Sequence, residues 1–237
     1  MERPAEDVNP VVPERGRLQA RPSLGDGGGR VAFPPGLRPI GLGERRDGLL
    51  RVPDSVHGGD GAAMPLMVML HGAGGNAAGA LRLVEGAASC ALLLVPESRG
   101  ATWDVILGGY GPDVAFLDAA LRAVFELHRV DGRRIALAGF SDGASYAVSL
   151  ALGNGDLFTH VLAFSPGFCA PPPLVGRPWI FVSHGLSDEV LPIGACSRRL
   201  VPRLRAAGYA VRYREFTGGH RVPAEVAAEA VAALDEA

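Results

Sequence analysis

Ser141 has a glycine two positions away on either side, in the sequence Gly139–Gly143 (GFSDG). The apolar run 135–138 before it predicts a strand, and the Ala- and Leu-rich residues that follow have the spacing of a helix. A nucleophilic serine stands on a tight turn, where side chains at both glycine positions would collide with the neighbouring strand and helix. The stretch therefore predicts a nucleophile elbow, in which a strand, a sharp turn and a helix expose the serine hydroxyl.

A serine hydroxyl needs a base within hydrogen-bond reach, and His220 is the histidine best placed to be that base. It follows the last predicted strand in residues 217–220 (TGGH), where the glycines let a loop carry the ring over the serine. His71 and His184 also follow strands, but a glycine comes directly after each, which favours a structural role in a turn. The remaining histidines are placed less well, in a loop, on a helix and at the start of a strand: His57, His128 and His160.

Asp188 is the predicted acid that orients the histidine. It comes shortly after the predicted strand 180–183 and lies between the serine and the histidine in the chain, which is the order of serine, acid and histidine that accompanies a nucleophile elbow. Glu189 and Asp156 are the alternatives, and aspartate in such a position also commonly caps a turn or a helix. The predicted triad is thus a serine, a histidine and Asp188.

Attack on an ester carbonyl produces an oxyanion, which backbone N–H groups must stabilise. The N–H of Asp142, the residue after the nucleophile, is one predicted donor. The other is expected from the turn after the predicted strand 66–70, where Ala73 is favoured and Gly72 or Gly74 are the alternatives.

Three aromatic residues in two loops are candidates for the substrate pocket. Trp103 and Tyr110 lie in the loop 98–111, and Phe168 lies in the loop 165–173. Large aromatic side chains serve burial as often as binding, so packing of these loops onto the core is the alternative for each of the three.

Composition narrows the classes of function. The chain has 237 residues and a formal net charge of −2, and all 23 basic residues are arginines. The lack of lysine excludes a Ser–Lys dyad, a Schiff-base lysine and a P-loop lysine. The small net charge gives no reason to expect nucleic acid as a partner.

No apolar run reaches the ~18 residues of a membrane span, and the N-terminus has no secretory signal pattern, so we expect no stable membrane insertion and a cytoplasmic location.

The cysteines are three in number and have no metal-ligand spacing. Cys90 lies in an apolar run and is predicted to be a buried thiol. A bridge between Cys169 and Cys196 is left open by the sequence.

Two regions differ in their pattern. Residues 1–36 are rich in Pro, Gly and Arg without sustained periodicity, which predicts a flexible N-terminal extension. In residues 37–237 an edge hairpin is expected within 40–52, and apolar runs then alternate with helical patterns, as in a mostly parallel sheet with helices on both faces and no large lid domain. The predicted strands are 66–70, 91–95, 135–138, 161–164, 180–183 and 211–216, and the other predicted helices are 77–88, 113–129, 194–207 and 223–237.

Several motifs in this order resemble those of the small α/β-hydrolase esterases: VMLHGAGGN, PESRGATWD, GFSDGASYA, FSPGF, SHGLSDEVLPI and FTGGH. The resemblance is greatest to the phospholipase/carboxylesterase-like and polyhydroxybutyrate-depolymerase-like group, and it covers about residues 40–237. It implies the α/β-hydrolase fold for a catalytic domain at 37–237, the triad Ser141, Asp188 and His220, and no metal or organic cofactor. The missing signal pattern weighs against an extracellular polymer as the substrate.

These observations favour a serine carboxylesterase that acts on a small-molecule ester through an acyl-enzyme. Short-chain or aryl esters are the expected substrates, because no lid or long apolar insertion is visible that would bury a fatty tail. A peptidase or amidase on the same triad, and a non-catalytic binding protein with the same fold, are the alternatives. The oligomeric state is not predicted.

Overall fold

Eight strands form one sheet in the computed structural model, which describes residues 16–22, 33–43, 45–54 and 63–236. The strands are β1 (Gly36–Pro39), β2 (Gly48–Val52), β3 (Met64–Leu70), β4 (Leu92–Pro96), β5 (Val130–Phe140), β6 (His160–Phe164), β7 (Trp179–Gly185) and β8 (Val211–Phe216). The helices are α1 (Ala77–Val84), α2 (Pro112–Leu127), α3 (Asp142–Leu152), α4 (Ser197–Ala206) and α5 (Ala224–Ala232). Short 3₁₀ helices span Asp104–Leu107 and Ala233–Asp235. None of the helices in these ranges is long and apolar enough to cross a bilayer.

The sheet is mostly parallel, as the alternation of strands and helices predicts. Its spatial order is β1-β2-β4-β3-β5-β6-β7-β8. The pairs β1–β2 and β2–β4 are antiparallel, and every other pair is parallel. The predicted edge hairpin is present, although its first strand begins at Gly36, before the predicted start at 40. Each predicted strand and helix overlaps an observed one. The strand β5 begins at Val130, before the predicted start at 135, because that residue pairs with Met64 of β3, and α5 ends at Ala232, before the predicted end at 237.

Two apolar layers cover the two faces of the sheet. Alternate residues of β3 divide between them: Leu66, Val68 and Leu70 join the layer under α2, α3 and α4, whereas Met67 and Met69 join the layer under α1 and α5. This is the two-residue period of a strand that is buried on both faces. The helices on both faces therefore leave the carboxyl ends of the parallel strands as the place where loops can build a site.

Residues 16–22 pack against the body of the protein, which corrects the expectation of a flexible extension for this part of 1–36. Leu18 is completely buried, and its backbone N–H donates to the side chain of Asn154 at 2.9 Å. The Asn154 amide in turn donates to the carbonyl of Gly16 at 2.8 Å. The rest of the predicted extension before residue 33 lies outside the described residues, as does His57.

The three cysteines are free thiols. Cys169 and Cys196 are not bridged, which answers the question that the sequence left open. The prediction for Cys90 is wrong: its side chain is exposed, because it lies in the turn between α1 and β4 and not inside the strand.

Candidate active site

The turn between β5 and α3 holds Ser141 in a backbone conformation that serine rarely adopts, with φ 58° and ψ −120°. Its N–H is fixed by a 2.9 Å hydrogen bond to the carbonyl of Phe164 at the end of β6. A Cβ on Gly139 would overlap the backbone of Gly143, and a Cβ on Gly143 would overlap the backbone at the end of β3. The two glycines are therefore required by close backbone contacts, as the sequence predicts.

Three side chains from different strand ends meet at this turn. The Nε2 of His220 lies 2.9 Å from the Oγ of Ser141, and its Nδ1 lies 2.6 Å from the Oδ2 of Asp188. They follow β5, β7 and β8, whose carboxyl ends lie at the same edge of the parallel sheet. The ring of Phe140 contacts the imidazole of His220 with ring centroids 4.7 Å apart. The order of the strands thus brings a serine and a histidine that are 79 residues apart in sequence into contact.

The carboxylate of Asp188 is buried and held by the backbone of the turn that it begins. Its Oδ1 accepts hydrogen bonds from the N–H groups of Val190 at 3.0 Å and Leu191 at 2.8 Å. Burial alone would raise the pKa of Asp188, but hydrogen bonds from His220 and Leu191 outweigh burial and hold the pKa below its ordinary value. The carboxylate is therefore negatively charged at neutral pH despite its burial.

The alternative acids lie elsewhere. Glu189 is exposed. Asp156 is paired with Arg17 and Arg21, and it lies between α3 and β6, at the opposite edge of the sheet from Ser141. In the described part of the chain, no group of three or more His, Cys, Asp or Glu residues is placed to hold a metal ion.

His71 and His184, which also follow strands, form hydrogen bonds with groups outside the triad. The Nε2 of His71 accepts from the N–H of Ser98 at 3.1 Å, and the Nδ1 of His184 lies 2.6 Å from the hydroxyl of Ser197. The ring of His71 connects the turn after β3 to the loop after β4, and the ring of His184 connects β7 to α4. His128 is buried, and His160 contacts the hydroxyl of Thr159 at the start of β6.

The turn after β3, where the sequence predicts the second oxyanion donor, lies against the elbow. A Cβ added to Gly72 would be 3.3 Å from the Cβ of Ser141, so this backbone closely approaches the nucleophile. The N–H of Gly74 donates to the carbonyl of Ala101 at 2.8 Å, which removes it as an alternative donor. The N–H of Asp142 is at the first position of α3, where helix N–H groups have no partner within the helix.

The predicted pocket aromatics divide between core and surface. Trp103 is completely buried and donates its indole N–H to the carbonyl of His71 at 2.8 Å, so the prediction that it lines the pocket is corrected to a core role. Tyr110 is partly buried and donates its hydroxyl to the carbonyl of Ala170 at 2.8 Å. Phe168 is 37% exposed, which leaves its ring available to a ligand.

Reasoning from the sequence missed two serines on α3 that hold the loop 165–173. The hydroxyl of Ser145 accepts from the N–H of Gly167 at 2.9 Å, and the hydroxyl of Ser149 accepts from the N–H of Ala170 at 2.9 Å. Their signal in the sequence is the four-residue spacing from Ser141, because that spacing places Ser145 and Ser149 on one face of the predicted helix.

This architecture is the α/β-hydrolase fold. The crystal structure of esterase PE8 resembles it with a TM-score of 0.61 and 24% sequence identity, over 74% of this chain and 94% of that chain. FphF, a fluorophosphonate-binding serine hydrolase of Staphylococcus aureus, resembles it with a TM-score of 0.64 and 13% identity, over 85% of this chain and 99% of that chain. These likenesses confirm the fold that the sequence motifs imply.

Similarity in sequence to a known protein covers a smaller part of the chain than the two structural likenesses do. A protein of Aspergillus oryzae named probable feruloyl esterase C is 30% identical over 159 residues, which are 62% of this chain and 56% of that protein. The chain thus spans little more than half the length of this relative. No family model matches the chain.

Proposed function

We propose that the protein is a serine hydrolase of carboxylic esters, with Ser141 as nucleophile, His220 as base and Asp188 as the acid that orients it. The observation that carries the proposal is the continuous hydrogen-bonded chain of the three side chains, 2.9 Å from hydroxyl to imidazole and 2.6 Å from imidazole to carboxylate. The esterase names of the relative and of the similar structure support the same reaction class.

The donor and acceptor in each of these two hydrogen bonds follow from the charge of the Asp188 carboxylate. Because ionised Asp188 only accepts hydrogen bonds, the Nδ1 of His220 carries the proton between them. In the neutral ring the Nε2 then has a free lone pair, which accepts the hydroxyl proton of Ser141. The geometry thus selects the tautomer that a general base requires.

The reaction proceeds in two half-reactions. The Oγ of Ser141 bonds to the ester carbonyl carbon while His220 takes its proton, and the buried carboxylate of Asp188 stabilises the resulting imidazolium. The backbone N–H groups of Asp142 and Ala73 bind the oxyanion, and each such donor contributes about 3–4 kcal/mol of transition-state stabilisation. His220 then gives the proton to the leaving alcohol, and a water activated by the same ring cleaves the acyl-enzyme.

The substrate class that we propose is short-chain or aryl esters. The loop 165–173 contacts the Asp188 turn, since a Cβ on Gly167 would lie 3.3 Å from the Leu191 side chain. Phe168 is the next residue and is 37% exposed, and we propose that its ring forms one wall of the acyl pocket. The name of the Aspergillus oryzae relative, a feruloyl esterase, supports an aryl acyl group.

Hydrolysis of p-nitrophenyl acetate by the purified chain tests the reaction. We expect Ser141→Ala to lower kcat/KM at least about 10³-fold, because the nucleophile is lost while the oxyanion donors remain. Ser89→Ala is the matched control, since Ser89 is exposed and lies on the turn before β4. Equal activity of Ser141→Ala and the unchanged protein would contradict the proposal.

The same assay with a series of acyl groups tests the substrate class. We expect kcat/KM to be highest for acetyl to butyryl esters or for methyl ferulate and to fall for palmitoyl esters. An optimum at palmitoyl esters would overturn this class and leave the triad intact. Faster cleavage of the anilide than of the matching phenyl ester would favour an amidase.

A further inference from the structure

Asp188 is contacted by a second imidazole, which the reaction described above does not use. The Nε2 of His184 lies 3.3 Å from the same Oδ2 that accepts from His220. The Nε2 also lies 2.7 Å from the carbonyl of Leu191. Both His184 and Asp188 have side chains that are 0% exposed, so water does not compete for these contacts.

The partners of His184 fix its tautomer. A backbone carbonyl accepts but never donates, so the Nε2 that faces Leu191 carries a proton. Burial lowers the pKa of His184, which favours the neutral ring. The Nδ1 of that neutral ring is an acceptor, and the hydroxyl of Ser197 at 2.6 Å donates to it.

His184 and the backbone of Leu191 enclose the carboxylate together. The N–H of Leu191 donates to the Oδ1 of Asp188, and its carbonyl accepts from the ring of His184. The imidazole therefore holds the turn that carries the acid, and its Nε2 lies 3.3 Å from the oxygen that faces His220. Loss of this N–H would leave the buried carbonyl of Leu191 without its donor and free the turn that carries the acid.

We propose that His184 is a positioning residue for the hydrolysis: its ring is held at Nδ1 by Ser197, and its Nε2–H holds the carbonyl of Leu191 and thereby the turn that aligns the Asp188 carboxylate with His220. This rests on the proposed function, because only a working triad gives the alignment a catalytic consequence. A neutral ring suits the task. An imidazolium at the same place would offset the negative charge that His220 needs when it accepts the serine proton.

A matched pair of variants separates hydrogen bonding from packing. His184→Gln keeps an N–H donor at about the position of Nε2, whereas His184→Met has a similar length and no donor. We expect His184→Met to lower kcat for p-nitrophenyl acetate about 10- to 100-fold at a KM within about twofold, since the carbonyl of Leu191 loses its donor and the Asp188 turn is no longer fixed. His184→Gln is expected to recover most of kcat. Equal kcat values for the two folded variants would overturn the proposal.

A second variant covers the case in which His184→Met fails to fold. Ser197→Ala removes the hydroxyl that donates to the Nδ1 and leaves the ring itself in place. We expect it to lower kcat about threefold or more without a matching change in KM, because the ring loses the contact that orients it. A kcat equal to that of the unchanged protein would overturn the proposal.

Proton NMR gives a readout that needs no turnover. The Nδ1–H of His220, bonded to Asp188 at 2.6 Å, is expected to give a low-field resonance. The resonance should persist in His184→Gln and shift upfield or broaden in His184→Met. Its persistence unchanged in folded His184→Met would overturn the proposal. If the unchanged protein hydrolyses no ester, the reaction assignment fails, and this measurement still decides whether His184 aligns the pair.

Discussion

The backbone of Ser141 stores strain at the residue that carries the proposed chemistry. A non-glycine residue at φ 58° and ψ −120° costs on the order of 1–3 kcal/mol and persists only where the surroundings enforce it. The conformation is held by the hydrogen bond from the N–H of Ser141 to the carbonyl of Phe164 and by the close backbone contacts at Gly139 and Gly143. The side chain at 141 is thus kept at the expense of stability, because the turn is what exposes the hydroxyl.

Two substitutions of the same serine separate strain from chemistry. Both Ser141→Ala and Ser141→Gly remove the hydroxyl, but only glycine relieves the backbone strain of about 1–3 kcal/mol. Part of that gain, about 0.5–1 kcal/mol, is lost because glycine has more freedom in the unfolded chain. We expect Ser141→Gly to exceed Ser141→Ala by about 1 kcal/mol in free energy of unfolding, measured by urea titration. A less stable glycine variant would contradict the strain account.

Helix α3 presents a row of hydroxyls that connects the elbow to the loop 165–173. The hydroxyl of Ser145 donates to the carbonyl of Ser141 at 3.2 Å, and that of Ser149 donates to the carbonyl of Ser145 at 2.6 Å. Each hydroxyl also accepts from a loop N–H, so it is used as donor and acceptor at once. The helix therefore sets the position of the loop that carries Phe168.

Removal of one hydroxyl should loosen one point of this loop. In Ser149→Ala the N–H of Ala170 loses its acceptor, at a cost of about 1–3 kcal/mol. We expect amide hydrogen exchange at Ala170 to become about tenfold faster or more, and exchange at Gly167, held by Ser145, to change less. Ser89→Ala is the control for a serine outside this row. Unchanged protection of Ala170 would show that the hydroxyl does not hold the loop.

The contrast between predicted and observed elements has a physical origin. Strands, helices and the elbow were predictable because they depend on local period and on glycines that a tight turn requires. The burial of Trp103 was not, since its partner is a backbone carbonyl at His71, 32 residues away. The contacts of His184 with the Asp188 turn depend on the side-chain conformations that β7 and this turn impose. The sequence SHGLSD does not specify these conformations.

At the scale of the whole molecule, the segment 16–22 joins the body at the edge of the sheet opposite the triad. It contacts Asn154 and Asp156, which connect the end of α3 to the start of β6. Arg17 and Arg21 both pair with the carboxylate of Asp156, and Arg17 also donates to the carbonyl of Gly153. This attachment spans 139 residues of sequence and is separate from the chemistry, so its contribution to stability can be measured without disturbing the site.

The pH dependence of stability tests this attachment. The hydrogen bond from Arg17, with a further bond from Arg21, lowers the pKa of Asp156 to about 2. Because the folded pKa lies below the unfolded value of about 4, the contribution is complete above pH ~4 and is lost as the pH falls towards 2. The Asp156 side chain is 37% exposed, so solvent screening reduces the contribution to about 1 kcal/mol. We expect Asp156→Asn to lower the free energy of unfolding by that amount at pH 7 and by progressively less below pH ~4, in urea titrations over the range where both proteins fold.

Asp235→Asn, at the 72% exposed partner of Arg134, is the control and should change stability little. A difference between Asp156→Asn and the unchanged protein that stays constant as the pH falls from 7 to 3 would show that the arginines do not stabilise the fold through this charge.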